Sequence, residues 1–171
     1  FSLCCKAGEA VYVPLYSSNI FENTNFITKE AAFKQLERLF NNTELSIIFH
    51  NGKFDLKTLV SSGINFTGQK PACTLIDTMI AAWMLSPDRT GRSSYSLEYL
   101  CETKLGIAGI EYDDIVPKGR TFADVPINEA TDYAAEDADF TFRLWQNLKA
   151  ELEKSNLYEL FESTEMKIMP V

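Results

Sequence analysis

The segment from Ala130 to Leu152 admits few arrangements. At about 100° per residue, a helix sets Ala130, Ala134, Thr141, Leu144, Trp145, Leu148 and Leu152 on one stripe, which the rest of the chain has to cover. Asp137 falls in the middle of that stripe. Asp132, Glu136 and Asp139 are expected on the polar side, so the helix has ordinary places for carboxylates and Asp137 is the exception. An ionised carboxylate taken out of water is strongly disfavoured unless it is paired, so Asp137 must meet a cation, take up a proton or line a cleft. From this helix alone, a structural acid bonded to backbone or to arginine and a metal ligand stand level. Tyr133 lies one turn earlier, beside the acid.

A chain of 171 residues with 46% hydrophobic content can bury a core of its own, and residues 1–171 are expected to form a single domain. Its longest apolar run, "TLIDTMIAAWML", is interrupted by Asp77 and is far shorter than a membrane span. No signal-like segment opens the chain, so a cytoplasmic, monomeric protein without membrane contact is expected. Cys4, Cys5, Cys73 and Cys101 have neither the spacing of a zinc site nor that of a disulfide framework, and are expected to be reduced and mostly buried. A formal charge of −8 argues against a non-specific grip on a phosphate backbone by this chain alone. It does not exclude nucleic acid, because acidic clusters that hold Mg²⁺ suit phosphate chemistry and the ion reverses the local sign. The strand-like "FSLCC" begins directly at Phe1 without an initiator Met, as a piece of something longer would.

Along the chain, "FSLCC" and "AVYVPL" flank "KAGE" as a hairpin closed by a Gly-containing turn. "TKEAAFKQLERLF" is a helix capped by Thr28 and stopped by "NNT". "LSIIFH" reads as a buried strand running straight into the short helix "NGKFDLKTLVSSG", with Asn51 as N-cap and Gly63 as stop. A strand feeding a helix over a tight turn is an α/β signature, and ligand sites commonly lie at such strand ends. "CTLIDTMIAAWMLSP" is expected to be a helix capped by Asp77, "YSLEYLCETKLG" another, and "IAGIEYDDIVPKGRTFADVP" irregular; the remainder is helical. The class is α/β, with strands early and helices late.

The strand-to-helix junction supplies a second inward acid, Asp55, at the edge of the stripe formed by Leu56, Leu59 and Val60. Two carboxylates on separate elements, both turned inward, are natural ligands of hard divalent cations. "NGKFD" resembles the second motif, and "YAAED" the third, Tyr-x-x-x-Asp, of the DEDD exonucleases in their tyrosine subclass. With "HNGKFDLKTL", "IDTMIAAWML", "GRSSYSLEYL", "YAAEDADFTFRLW" and "LYELFESTEMKIMPV", nearly the whole chain resembles the 3′ to 5′ proofreading domain of family A bacterial DNA polymerases. The resemblance implies a ribonuclease-H-like (DnaQ-like) fold, a mixed central sheet flanked by helices. It implies that Asp55 and Asp137 hold two Mg²⁺ or Mn²⁺ ions around the scissile phosphate, with Asp137 on the ion that carries the attacking water and Tyr133 orienting that water. Nucleoside 5′-monophosphates would be released from a single-stranded 3′ end of DNA. Asn51, Lys53 and Arg92 resemble residues that position the terminal nucleotides, although helix capping and solvated charge explain them nearly as well. Lys118 and Arg120 are expected along the path of the strand, and His50, the only histidine, is expected to support the site or the fold.

One part of the pattern is absent. The family's first motif, Asp-x-Glu on the strand before "FSLCC", supplies two of four metal-binding carboxylates and would form the first, central strand of the sheet; its neighbours would lack hydrogen-bond partners without it. The leading expectation is an exonuclease module whose polymerase domain follows Val171 in the same parent chain. The alternatives are a vestigial, non-catalytic support for the polymerase and a ribonuclease D type RNA exonuclease.

Overall fold

The computed structural model describes residues 1–18, 26–66, 70–88 and 94–169. Arg92 lies outside the described residues, as do Pro170 and Val171. Strands β1 (Ser2–Lys6) and β2 (Glu9–Tyr12) form an antiparallel hairpin with Leu3 opposite Val11, Cys4 opposite Ala10 and an irregularity at Cys5. Helix α1 (Lys29–Phe40) starts where the Thr28 hydroxyl accepts the N–H of Ala31 at 3.2 Å, as the sequence predicts. It buries Ala32, Leu36 and Phe40.

Strand β3 (Ser46–Phe49) runs into α2 (Gly52–Ser61), and β4 (Thr74–Asp77) runs into α3 (Thr78–Leu85). In the second of these units the helix follows its Asp77 cap and ends before Pro87, as expected, while the residues ahead of the cap form a strand that the sequence does not announce. Residues Thr74–Asp77 are extended and pair in parallel with β3, Ser46 opposite Thr74 and Phe49 opposite Asp77. Leu75 and Ile76 are both buried, so a run buried on both sides carries no alternation that separates strand from helix.

Helix α4 (Leu97–Leu105) is capped by the Ser96 hydroxyl and ends at Gly106 in the left-handed region. The segment expected to be irregular carries a short helix, α5 (Tyr112–Ile115), and a 3₁₀ turn at Phe122–Asp124. Helix α6 (Ile127–Lys154) is 28 residues long and is followed by a helical tail over residues 158–168 whose turns widen at Phe161–Glu165. Thr141, Leu144, Trp145, Leu148 and Leu152 of α6 are buried with Leu100, Cys101 and Phe161, as the stripe requires. None of the helices among the described residues is long and apolar enough to cross a membrane. The cysteines are free, with Cys73 and Cys101 buried and Cys5 exposed.

The mixed sheet, whose first, central strand is expected to be missing, stands as two separate pairs of strands. Among the described residues there are two sheets of two strands each, β1–β2 antiparallel and β3–β4 parallel. Helix α6 packs against β1, β2 and β3, so both pairs rest on one helix while no described strand joins them.

What holds the two strand-to-helix junctions together is Asp77, which is only 1% exposed. Its carboxylate accepts the N–H groups of Met79 (2.9 Å) and Ile80 (3.4 Å) as the cap of α3. It also accepts those of Asn51 (3.2 Å) and Gly52 (2.7 Å) at the start of α2. Asn51 therefore occupies the N-cap position without using its side chain as a cap; it is left-handed, φ +63°, and the capping charge comes from the neighbouring strand. Gly52 is needed there, because a Cβ would stand 2.8 Å from the Cβ of Phe49.

Replacing Asp77 by Ala would strand these four donors at a buried junction. Such a loss is expected to cost about 3 kcal/mol or more, enough to unfold a marginal domain. Chemical unfolding of Asp77→Ala checks it; a loss below about 1 kcal/mol would contradict this account.

Candidate functional site

Tyr133 and Asp137 are one turn apart on α6, and the Tyr133 hydroxyl donates a hydrogen bond to the Asp137 carboxylate. Burial pushes the Asp137 carboxyl up to about 6; the bond from Tyr133 opposes this, and the charges of Glu98 and Glu136 add to it. None of these groups is a cation. Burial and the same carboxylate raise the Tyr133 hydroxyl well above its ordinary value, so it remains a neutral donor. Its ring is walled by Tyr112, edge-on at 6.2 Å between centroids, and by Phe122 at 5.8 Å.

Asp55 lies in the first turn of α2, half-buried. Burial, then the charge of Asp77, push its carboxyl up to about 6. Asn51 and Lys53 flank it and are exposed. Lys118 and Arg120 are exposed on the turn after α5, with Arg120 3.7 Å from Asp124. The candidate residues thus fall in two groups: Asn51, Lys53 and Asp55 at the start of α2, next to the Asp77 junction, and Tyr133 with Asp137 on α6.

His50 and Glu98 come near these groups: the charge of Asp77 acts on His50, and that of Glu98 on Tyr133 and Asp137. Nδ1 of His50 is 2.8 Å from the Thr78 hydroxyl and Nε2 is 2.8 Å from the Tyr95 carbonyl oxygen, so the ring ties the end of β3 to α3 and to the turn before α4. Burial pushes the imidazole down, against the charges of Asp77 and Glu98. Both nitrogens are engaged by the fold, as a supporting role requires. Glu98, in the first turn of α4, acts on His50, Cys101, Tyr133 and Asp137 alike.

Four acids have roles that the sequence does not reveal. Glu98 gave no signal, being one more acid in a helix's first turn. Asp77 was visible as the break in an apolar run, but only as the cap of its own helix. Glu136 and Asp139 correct an expectation, because neither points simply to solvent. Glu136 accepts the N–H of Ile110 at 2.6 Å. Asp139 accepts that of Gly8 at 2.7 Å and pairs with Arg143 at 2.8 Å, fastening the β1–β2 turn to α6. Asp132 is exposed, as expected.

Half-buried carboxylates acted on by acids and by no cation have the donor chemistry of a hard divalent ion such as Mg²⁺ or Mn²⁺. Among the described residues, no three His, Cys, Asp or Glu side chains stand close enough to form a metal site by themselves. Asp55 and Asp137 fit such an ion as part of a set, not as the whole of it.

The raised carboxyls set a pH dependence. Asp55 and Asp137 ordinarily titrate near 3.8 and in the fold near 6, so the folded chain holds their protons more tightly than the unfolded one. Their contribution to stability is therefore full below about pH 4 and is lost as pH rises to about 6, by at most roughly 2–3 kcal/mol per group. Asp137→Asn, neutral throughout, is expected to be at least as stable as the natural chain above pH 6 in EDTA and to show a flatter profile. Denaturant unfolding between pH 4.5 and 7.5 measures both, and a variant clearly less stable at neutral pH would refute the assignment.

The family model described as 3′-5′ exonuclease, of the DNA polymerase A type, matches residues 3–153. The DNA polymerase I of Treponema pallidum (strain Nichols) is 36% identical over 202 residues, covering 100% of this chain and 20% of that protein. That of Borreliella burgdorferi is 33% identical over 165 residues, covering 96% of this chain and 17% of that one. The chain thus spans about a fifth of the length of these relatives. Among solved structures, Brucella melitensis NrnC superposes with a TM-score of 0.62 at 25% identity, over 79% of this chain and 60% of that one. The same protein bound to pGG gives 0.58. With its α/β architecture and its match along nearly the whole length, the chain belongs to the 3′-5′ exonuclease domain family of the family A DNA polymerases and has their ribonuclease-H-like, DnaQ-like fold.

Proposed function

We propose that this chain is the metal-dependent 3′ to 5′ exonuclease module of a DNA polymerase I, working in the cytoplasm to remove mismatched 3′-terminal nucleotides for a polymerase domain of the same parent chain. The observation that carries the reading is Asp137, an acid held in a leucine-rich stripe with Tyr133 bonded to it and only further acids acting on it. A purely structural acid would be expected to have an arginine or a set of backbone donors, as Asp77 and Asp139 do.

Asp55 and Asp137 would hold Mg²⁺ or Mn²⁺, two ions in all, together with donors beyond these two. When bound, the ions supply a hydroxide at neutral pH and neutralise the oxygen that leaves. The remaining roles fall to the chain itself. Tyr133 keeps its proton at working pH and, with that proton directed at Asp137, its hydroxyl oxygen would orient the attacking water by accepting a hydrogen bond from it rather than by acting as a base. Lys53 and Asn51, exposed beside Asp55, would hold the terminal nucleotide and its phosphate, and Arg92, Lys118 and Arg120 would guide the strand. A chain of charge −8 attracts DNA weakly, which suits a module supplied with frayed single-stranded ends by its neighbour.

A second reading, a ribonuclease D type exonuclease acting on RNA, is favoured by the likeness to NrnC, a protein solved with pGG. The third, a non-catalytic support for the polymerase, has to explain why Tyr133, Asp137 and Asp55 persist in a costly environment.

Mg²⁺-dependent release of mononucleotides from matched DNA and RNA single strands by the full parent protein separates the three. Preferential release from DNA supports the proposal, preferential release from RNA the second reading, and no release the third. Within an active parent, Tyr133→Phe is expected to slow release by roughly 10- to 100-fold. The concentration of Mg²⁺ giving half-maximal rate should change little; a shift as large as the rate loss would refute a water-orienting role.

A further inference from the structure

Glu136 stands next to Asp137, yet its side chain serves another segment. Oε1 accepts the N–H of Ile110 at 2.6 Å, a short bond from a carboxylate to backbone. The contact is tight around it: a Cβ on Gly109 would lie 2.8 Å from that same oxygen and 2.8 Å from Cε2 of Phe140, so the backbone at 109–110 lies directly on α6. Three residues after Gly109 comes Tyr112, whose ring meets Tyr133 edge-on at 6.2 Å and stacks on Phe122 at 6.4 Å.

Burial does not explain why Tyr112 stays there. Tyr112 is 44% exposed, and α5 contains no buried residue. The segment is fastened at its far end by Val116, which is buried against Val125 and Ala130. At its near end, the bond from Ile110 to Glu136 holds the backbone on α6 beside Phe140.

We propose that Glu136 is a positioning residue for the nuclease. By holding the 107–116 segment on α6 it sets Tyr112 against Tyr133, and so keeps the Tyr133 hydroxyl directed at Asp137. The proposal rests on the exonuclease reading above. Glu136 also acts on Asp137 through its charge, and a test has to separate the two effects.

Glu136→Gln removes the charge and keeps an oxygen that can accept from Ile110, whereas Glu136→Ala removes both. Gly109→Ala pushes the segment off the helix with Glu136 intact. In the full parent protein, two readouts are taken: amide hydrogen exchange over residues 107–116 without metal, and kcat and KM for mononucleotide release from a single-stranded 3′ end. Glu136→Ala and Gly109→Ala are expected to speed exchange at Ile110 and to lower kcat about tenfold, with KM and polymerase activity little changed. Glu136→Gln should keep both values within about twofold of the natural protein. Because Glu136 acts through Tyr133, adding Glu136→Ala to Tyr133→Phe should slow release little further.

Three results would overturn the proposal: Glu136→Gln as slow as Glu136→Ala, which would make the charge the cause; losses that add fully with Tyr133→Phe; or unchanged exchange at Ile110 in Glu136→Ala. If the natural parent releases no nucleotide, the exonuclease reading falls and takes the positioning role with it. Release by the natural protein with an undisturbed Glu136→Ala overturns the positioning role alone.

Discussion

Asp77 ends β4, opens α3 and receives the first N–H groups of α2 on the same carboxylate. Four donors converge on one buried anion, and this is what allows Asn51 its left-handed backbone and Gly52 its close approach to Phe49. The direction in which α2 leaves the sheet follows from that arrangement, and with it the place of Asp55 one turn later. A second consequence is electrostatic. An anion fixed at the root of α2 makes the ionised form of Asp55 harder to reach, so the interaction that builds the junction also prepares Asp55 for a cation.

Helix α6 plays the corresponding part for the other half of the site. Its leucines fill the core, and its N-terminal half carries Tyr133 and Asp137. Its flanking acids are fasteners: Glu136 takes the Ile110 amide and Asp139 takes the Gly8 amide, while Lys104 of α4 pairs with Glu151 further along. One helix thereby fixes the hairpin, the segment before α5 and α4 relative to Asp137. Because β3 also rests on α6, the strand that leads into α2 and Asp55 is supported by the helix that carries Asp137, even though the two strand pairs are not hydrogen-bonded to each other.

Much of this was legible in the sequence where a single element decides the outcome. The stripe of α6, the Thr28 cap and the hairpin around "KAGE" follow from local spacing and turn chemistry, and each forms where expected. Asp55 and Asp137, both half-buried, stand out in the sequence because an acid in an apolar stripe is a local contradiction. What the sequence hid is interaction between elements. Thr74–Asp77 became a strand because β3 lies alongside it, which its own apolar pattern cannot reveal. The Asn51 side chain does not cap α2 because a better acceptor arrives from 26 residues away, and helical periodicity sets Glu136 and Asp139 toward solvent because it does not record which loops cross a polar face. Glu98 shares this origin, since only the packing of α4 on α6 brings its charge to Asp137.

The distribution of charge explains why these acids belong together. Asp77 opposes ionisation of Asp55, and Glu98 and Glu136 oppose that of Asp137, within a chain already at −8. At neutral pH, without a cation, the fold bears the cost of keeping these carboxylates charged or protonated. A bound dication would attract each of these carboxylates and so offset their mutual repulsion, so affinity for the ion and stability of the fold draw on the same free energy. The same ion would also supply the positive charge that a phosphate needs in order to approach so acidic a surface. In the proposed reading, then, the acidity that by itself repels a nucleic-acid substrate is what makes binding of that substrate conditional on metal, and directs it to where the metal is held.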